Sequence, residues 1–489
     1  MHWLDPLTHF WPHLAAGFAF VAAVLASVHA LLHKRDSRAA TLWLGVIWLL
    51  PALGSLLYLA LGVNRFRRRA ISLAVHKTFS RPVPDDLGEP EHAGAEHLQH
   101  LARVVSRVAT QPLTTGNKIE PLVNGDEAFP AMLAAIESAK KSITLGTYIF
   151  DNDATGEKFV ATLERAVQRG VAVRVLIDAA GTRYSWPSIT HKLVRAKIPF
   201  AKFLPASLLT PWRVATINLR NHRKVLIADA QTAFTGGINL RHGNVLAENP
   251  KHPVQDLHFR VTGPVVTELQ EAFANDWTFT TGEILDGETW FPNSETRFLK
   301  AGLQTAGDII ARVITDGPDA DFENLRLTLL AALAEAQTSV KILTPYFLPD
   351  PALISALNLA ALRGVRVDIV LPAKNNLPVV HWASRALWWQ VLERGCRLWL
   401  TPPPFDHSKL MIVDGHWVLL GSANWDARSL RLNFELNVEC YNRSFAQAME
   451  KIITGKMAAA REVTLAEADG RSLPGKLRDA IARLFSPYL

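Results

Sequence analysis

The stretch FDHSKLMIVDGHWVLLGSANWDARSLRLNFE, residues 405–435, decides how the chain is read, because NHRKVLIADAQTAFTGGIN, residues 221–239, carries the same pattern. In each copy a His and a Lys stand two apart, ahead of an apolar run, an Asp and a loop of small residues ending in Asn. The copies are His222, Lys224, Asp229, Gly236, Gly237, Asn239 and His407, Lys409, Asp414, Gly421, Ser422, Asn424, with offsets that agree from His to Asn. The apolar, β-branched run 409–413, then Asp414-Gly415, then the run 417–420 predicts two strands joined by a tight hairpin. Residues two apart on a strand share a face. His407 and Lys409 therefore point together, as do His222 and Lys224, and the small-residue loop returns Asn424 or Asn239 to the same strand end. Imidazole attacks phosphorus or donates a proton near neutral pH, while ammonium and carboxamide donors stabilise charge on non-bridging oxygens. The pattern predicts a phosphate site that contains its own nucleophile, built twice. Asp229 and Asp414 fall where the hairpins turn and read as turn residues.

The repeat extends beyond the motifs. A helical run leading to SITLGTYIF, residues 142–150, parallels one leading to SVKILTPYF, residues 339–347, and RGVAVRVLID, residues 169–178, parallels RGVRVDIVL, residues 363–371. Each half reads as an α/β unit with buried strands covered by helices. Two such halves facing each other about a pseudo-two-fold axis would bring His222 and His407 together across a cleft. The fold class expected is α/β: two halves, each a mixed sheet flanked by helices, at 116–300 and 301–489.

Ahead of them, residues 10–32 are apolar apart from His13, Ser27 and His29, and residues 41–63 carry no charge, so each run is long enough to span a bilayer. A short polar turn at 33–38 makes a helical membrane hairpin of residues 1–69, although Pro51 and Gly54 leave open a shallow re-entrant form. Lys34, Arg35 and Arg38 nearly balance Arg65, Arg67, Arg68 and Arg69, and the positive-inside rule leans toward a cytoplasmic catalytic part. Residues 70–115 read as a polar linker with one short amphipathic helix near 98–109; His92, His97 and His100 lack the acids a metal site would need. The C-terminal run 473–485 is amphipathic and basic, suited to the bilayer surface or to packing back on the catalytic part. A net charge of +7 and a pI near 9.4 point to an anionic partner, nucleic acid or acidic membrane. Cys396 and Cys440 make no disulfide framework and read as small buried hydrophobes.

The pattern HxKxxxxD followed by G-[GS]-x-N is the signature of the phospholipase D superfamily, which the chain resembles in both copies. TPYFLPD at 344–350, RNHRK at 220–224, Asp256-Leu257-His258 with Gly263-Pro264, Arg428-Ser429, Asn433-Phe434-Glu435 and the two-run amino terminus narrow the resemblance to the bacterial cardiolipin synthases. The proline-rich lead-in at 402–406 departs from that pattern. The resemblance implies a multi-pass enzyme of the bacterial inner membrane that makes cardiolipin from two phosphatidylglycerol molecules, releasing glycerol through a phosphohistidine. His222, Lys224, Asp229, His407, Lys409 and Asp414 would form the catalytic motifs. Asn239, Asn424, Ser422 and Gly237 would bind phosphate, and no metal or cofactor is expected. An acid downstream of each motif would hold its imidazole, Glu435 for His407 and Asp256 for His222. His222 is expected to attack and His407 to act as acid then base, because Arg223 should lower the first imidazole's pKa and Asp406 should raise the second's. Phospholipid hydrolysis to phosphatidic acid is the alternative within the superfamily; a basic nucleic-acid-binding or -cleaving protein is the alternative outside it, and would not need two membrane runs. Nothing in the sequence indicates an oligomeric state.

Overall fold

A computed structural model describes residues 5–34, 37–62, 96–205, 219–292, 306–318 and 321–486. Arg35, the cluster Arg65 to Arg69, linker residues 70–95 and the expected boundary near residue 300 lie outside the described residues. The chain divides into a small N-terminal helical unit and a much larger α/β unit.

In the N-terminal unit the helix Asp5–His33 runs for 29 residues. Its segment Trp11–His33 has mean hydropathy 2.1 and is mostly exposed, so it is long and apolar enough to cross a membrane by length and composition. The second apolar run does not form one continuous span. It breaks into Ser37–Leu49, Pro51–Leu57 and a π-helical turn, Tyr58–Gly62. Pro51 is the cause: a proline donates no backbone N–H and disfavours helical geometry at the residue before it, and Leu50 leaves helical geometry at φ −138° and ψ 74°. Thirteen helical residues rise only about 20 Å, short of a hydrocarbon core of about 30 Å. The three helices close on Ala23, Ala26, Ala30, Ile47 and Tyr58. Gly54 permits the bend, since a Cβ there would lie 2.3 Å from the Val46 carbonyl oxygen.

The α/β unit is organised by one sixteen-stranded sheet. Its first half contributes β1 (Thr114–Val123), β2 (Ser142–Thr147), β3 (Ala172–Asp178), β4 (Phe200–Phe203), β5 (Arg220–Asn221), β6 (Val225–Ala228) and β7 (Thr232–Gly236). The short strand β8 (Val254–Gln255) and β9 (Leu257–Thr262) complete that half. The second contributes β10 (Ile309–Asp316), β11 (Ser339–Leu343), β12 (Arg366–Pro372), β13 (Arg397–Thr401), β14 (Phe405–Asp406), β15 (Leu410–Val413), β16 (Trp417–Gly421), β17 (Asn433–Tyr441) and β18 (Arg461–Val463). The order across the sheet is β18-β13-β12-β11-β15-β16-β17-β10-β1-β9-β7-β6-β2-β3-β4, with β5 the sixteenth strand, joined to β17 off this path, while β14 and β8 form a separate two-stranded sheet. Apart from β18 the order runs through equivalent strands from either edge, meeting at the antiparallel β10–β1 seam. The motif hairpins are β6–β7 and β15–β16, as their apolar runs predict. Each half has its own apolar core.

The helix Leu98–Val108 is not part of a solvated linker. Leu98, Leu101, Ala102 and Val105 are fully buried in the core of the second half. Buried Arg312 donates to the Ala102 carbonyl and to Ser106 Oγ, pinning the helix in place.

Candidate active site

Asp229 and Asp414 close the hairpins at the strand ends remote from the imidazoles, both in left-handed conformation at φ 53° and 52°. Their carboxylates gather backbone N–H groups: Lys140, Lys141 and Ser142 donate to Asp229, and Gln337, Thr338 and Ser339 to Asp414. His97 adds a 2.8 Å contact to Asp414. These aspartates lock each hairpin to the start of a neighbouring strand, which is the turn role read from their position.

At the other strand end the halves exchange segments. β5 pairs in parallel with β17, placing Arg220 opposite Asn433 and Asn221 opposite Phe434; the next pair in register is His222 and Glu435. β14 likewise pairs with β8, placing Phe405 opposite Val254 and Asp406 opposite Gln255; the next pair is His407 and Asp256. The His222 N–H donates to the Phe434 carbonyl at 2.9 Å and the His407 N–H to the Gln255 carbonyl at 2.8 Å. As a result His222 Nδ1 lies 3.0 Å from both carboxylate oxygens of Glu435, and His407 Nδ1 lies 2.7 Å from Asp256 Oδ2. This corrects the expected pairing. Each acid holds the imidazole of the opposite half, because the lead-in to each motif joins the other half's acid-bearing strand.

Asp256 and Glu435 occupy equivalent places, two residues ahead of His258 and Asn437, which face Gly236 and Gly421. Gly237 and Ser422 serve these acids. A Cβ on Gly237 would lie 2.2 Å from Asp256 Oδ1, whereas the Ser422 hydroxyl donates to Glu435 Oε2 at 2.5 Å. Asn433 Nδ2 donates to Glu435 Oε1 at 3.0 Å, and the Leu257 N–H donates to Asp256 Oδ1 at 2.8 Å. Lys224 Nζ donates to the His222 carbonyl at 2.7 Å, and Lys409 makes the same bond to His407. Asn239 and Asn424 are buried at the matching loop ends. Asn239 Oδ1 accepts from the Ile149 N–H at 3.2 Å, while Asn424 Oδ1 meets no donor among the described residues.

Burial dominates the electrostatics. It lowers the His222 pKa to about 4 and that of His407 to about 3, against the opposing pull of Glu435 and Asp256. Both imidazoles are therefore neutral at pH 7. Burial also brings Lys224 down to about 7 and Lys409 to about 8. The lysines act across the halves as well, Lys409 on His222 and Lys224 on His407. Burial resists ionisation of Glu435, but His222 and Lys224 outweigh it and hold its carboxyl below the usual range; His407 and Lys409 do the same for Asp256.

The flanking charges do not polarise the pair as expected. The Arg223 guanidinium turns to Asp276 at 2.7 Å and to the Glu435 carbonyl at 3.0 Å. Asp406 accepts from Ser408 and from Lys456 Nζ, the latter at 2.6 Å. Alternation along a strand sends both away from the neighbouring imidazole, and His407 is lowered rather than raised. Sequence reasoning missed Tyr148, whose ring centroid lies 5.2 Å from that of His222, and Tyr346, 6.3 Å from His407. Both stand in the repeated TYIF and TPYF segments, and an aromatic at the strand end preceding each motif was the available signal.

Two equivalent imidazole–carboxylate pairs, each with a lysine and an asparagine, on a duplicated mixed sheet define a phospholipase D-type fold and site. A family model described as cardiolipin synthase, phospholipase D-like domain, matches residues 132–277 and 329–456, and one described as phospholipase D-nuclease N-terminal matches residues 21–62. The chain is 32% identical over 485 residues to cardiolipin synthase A of Pseudomonas syringae pv. syringae, covering 97% of each chain. It is 29% identical over 488 residues to cardiolipin synthase 1 of Bacillus anthracis, covering 98% of this chain and 93% of that one. Among solved structures, phosphatidylserine synthase of Haemophilus influenzae Rd KW20 superposes with a TM-score of 0.62 at 15% identity, over 80% of this chain and all of that one. The chain belongs to the cardiolipin synthase family, within the phosphatidyltransferases of the phospholipase D superfamily.

Proposed function

We propose that the protein makes cardiolipin by moving a phosphatidyl group from one phosphatidylglycerol to the free glycerol hydroxyl of another. The observation that carries this reading is the pair of buried imidazoles, each held through Nδ1 by a carboxylate so that Nε2 is the reactive nitrogen. His222 Nε2 attacks the donor phosphorus, the bond from phosphorus to the glycerol oxygen breaks, and His407 delivers a proton to that oxygen so that glycerol leaves. His407 then takes the proton of the acceptor hydroxyl, whose oxygen attacks phosphorus and breaks the phosphorus–nitrogen bond. His222 is given the nucleophile's role because Glu435 engages it with both oxygens and is itself held by Ser422 and Asn433. His407 gains the proton it needs when a phosphodiester anion enters beside it and offsets the cost of burial.

Lys224, Lys409, Asn239 and Asn424 hold the phosphoryl oxygens in this scheme. Asp256 and Glu435 position the imidazoles, while Asp229 and Asp414 serve the fold. The partners are phosphatidylglycerol and other anionic phospholipids of the bacterial inner membrane, not nucleic acid. The duplicated strand order supports two halves related by a pseudo-two-fold axis. The exposed apolar helix Asp5–His33 supports a membrane anchor, and its shorter, broken return favours the re-entrant form of the hairpin, with the catalytic part on the cytoplasmic side; reporter fusions after Arg69 that read periplasmic would overturn that placement.

Thin-layer analysis of products from purified full-length protein and phosphatidylglycerol tests the reaction. Cardiolipin and glycerol are expected, with the same yield in EDTA at fixed ionic strength. Phosphatidic acid as the main product would make water the acceptor, and loss of activity in EDTA that one divalent ion restores would overturn the metal-free scheme.

A further inference from the structure

The C-terminal helix Leu473–Leu484 is packed the wrong way round for a soluble protein. It buries Asp479 completely, bound to Arg471 and Arg478, with Arg385 3.7 Å away on the helix Pro378–Arg385. Its apolar residues face outward: Leu477 is 59% exposed, Ile481 50% and Phe485 56%. Between this helix and Pro378–Arg385 runs a groove of about 450 Å³ lined by Val379, Trp382, Leu477, Ile481 and Phe485. Arg478 also lines it, stacked on Trp382 at 4.6 Å, and the same helix carries exposed Lys476 and Arg483.

This face is linked to the His407 site. Tyr346, whose ring lies 6.3 Å from His407, donates through its hydroxyl to Asn376 Oδ1 at 2.8 Å, and exposed Leu377 and Val379 follow at once. The first half has a matching feature in the loop after β3, which is topologically equivalent to the loop after β12. Its Tyr184 packs 6.1 Å from Tyr148, itself 5.2 Å from His222, and Trp186 stands 94% exposed two residues on. Arg183 lies in the same loop and Lys192 and Arg195 in the short helix after it. The segments leading away from both imidazoles thus end in exposed apolar or aromatic side chains with cations nearby, of which Lys192 is paired with Glu157 and Arg478 with Asp479. Tryptophan and tyrosine settle at the headgroup boundary, where one end of the ring is apolar and the other wet, and basic amphipathic helices lie in the same layer.

We propose that these two edges, the loop bearing Tyr184 and Trp186 and the C-terminal helix with its groove, rest on the surface of a bilayer containing anionic phospholipid, so that the cleft opens directly onto its substrates. Positive charge around both edges selects an anionic lipid surface over a second, equally basic copy of this chain. The inference rests on the phospholipid-transfer reading, and the test separates the two. The native cysteines Cys396 and Cys440 are buried, so an environment-sensitive fluorophore can be attached selectively to Ile481→Cys or Trp186→Cys in the full-length protein. Gln231→Cys, exposed in the hairpin turn at the opposite end of the sheet, is the control. In vesicles of phosphatidylglycerol and phosphatidylcholine with brominated acyl chains, the probes at 481 and 186 should be quenched and the one at 231 should not. Pure phosphatidylcholine should weaken the quenching. Leu477→Asp with Ile481→Asp, and separately Trp186→Ser, should lose at least roughly tenfold in rate on vesicle phosphatidylglycerol while keeping the rate on dispersed short-chain phosphatidylglycerol. Probes at 481 and 186 no more quenched than the one at 231, or shielding that follows protein concentration instead of lipid, would overturn the docking proposal. Absence of transfer on the short-chain substrate by the unmodified protein would instead refute the functional reading.

Discussion

The two halves reach one geometry by different side chains. In the first, Asp256 is short, offers one oxygen to His407 at 2.7 Å, and fits only because Gly237 has no side chain. In the second, Glu435 is one methylene longer, sets both oxygens 3.0 Å from His222 Nδ1, and is braced by Ser422 and Asn433. Register is common to both and chemistry is not. The place of each acid is set by two-residue strands that fix which backbone positions face each other; within that frame, acid length and the size of the facing loop residue vary together.

The largest effect expected comes from the imidazoles. His222→Ala and His407→Ala should each lower turnover by at least roughly 10²–10⁴-fold, the contribution of a single proton-transfer group. Retention of most activity by either would mean that the halves are not used together. His407→Asn should still accept a phosphatidyl group from a donor with a good leaving group, and acid-quenched mass spectrometry should find the adduct on His222; an adduct confined to His407 in the His222→Asn protein would reverse the roles.

The comparison itself can be probed by exchanging its parts. Gly237→Ser imports the second half's residue, but its Cβ would stand 2.2 Å from Asp256 Oδ1. Displacing the carboxylate and the imidazole it holds should cost about 10²-fold in kcat, and adding Asp256→Glu, which recreates the Ser422–Glu435 pair of the other half, should recover part of that loss. The reverse exchange, Ser422→Gly, removes one charge-assisted hydrogen bond from Glu435 and should cost only about tenfold. Equal losses in both exchanges would show that the two acids are braced alike.

The smallest effect is on pH. Lys224 and Lys409, lowered to about 7 and about 8 by burial, lose their protons as pH rises through that range, and the phosphoryl oxygens lose their cationic partners. A plot of kcat/KM, which reports the free enzyme, should fall on the alkaline side from about pH 7 to 8. The corresponding limb of kcat should lie at higher pH, because a bound phosphodiester favours the ammonium form. Coincident limbs would remove the lysines from phosphate binding.

Much of this was legible in the sequence because the signals are local. Two motifs with equal offsets marked the hairpins, the strand end that carries the chemistry and the turn aspartates, and the repeated helix-to-strand runs predicted the α/β halves. Pro51 and Gly54 left open a re-entrant form of the second apolar run, but the run reads as long enough to span, and the structure breaks it at Pro51. What could not be read was the pairing of acids with histidines. It depends on β5 joining β17 and β14 joining β8, and two residues carry no periodicity from which to infer a partner more than a hundred positions away. The helix Leu98–Val108 showed its apolar face, but nothing in the sequence named the second half as the surface that buries it. Arg223 and Asp406 misled because proximity in sequence was read as proximity in space.

The exchange of lead-in strands has a consequence for the newly made chain. Until the second half has been synthesised and docked, His222 has no carboxylate behind it, and His407 acquires one only in the same docking event. On the proposed scheme, activity emerges only once both halves have docked, and an unfinished polypeptide lacks the carboxylate-held imidazoles that would act on phospholipid.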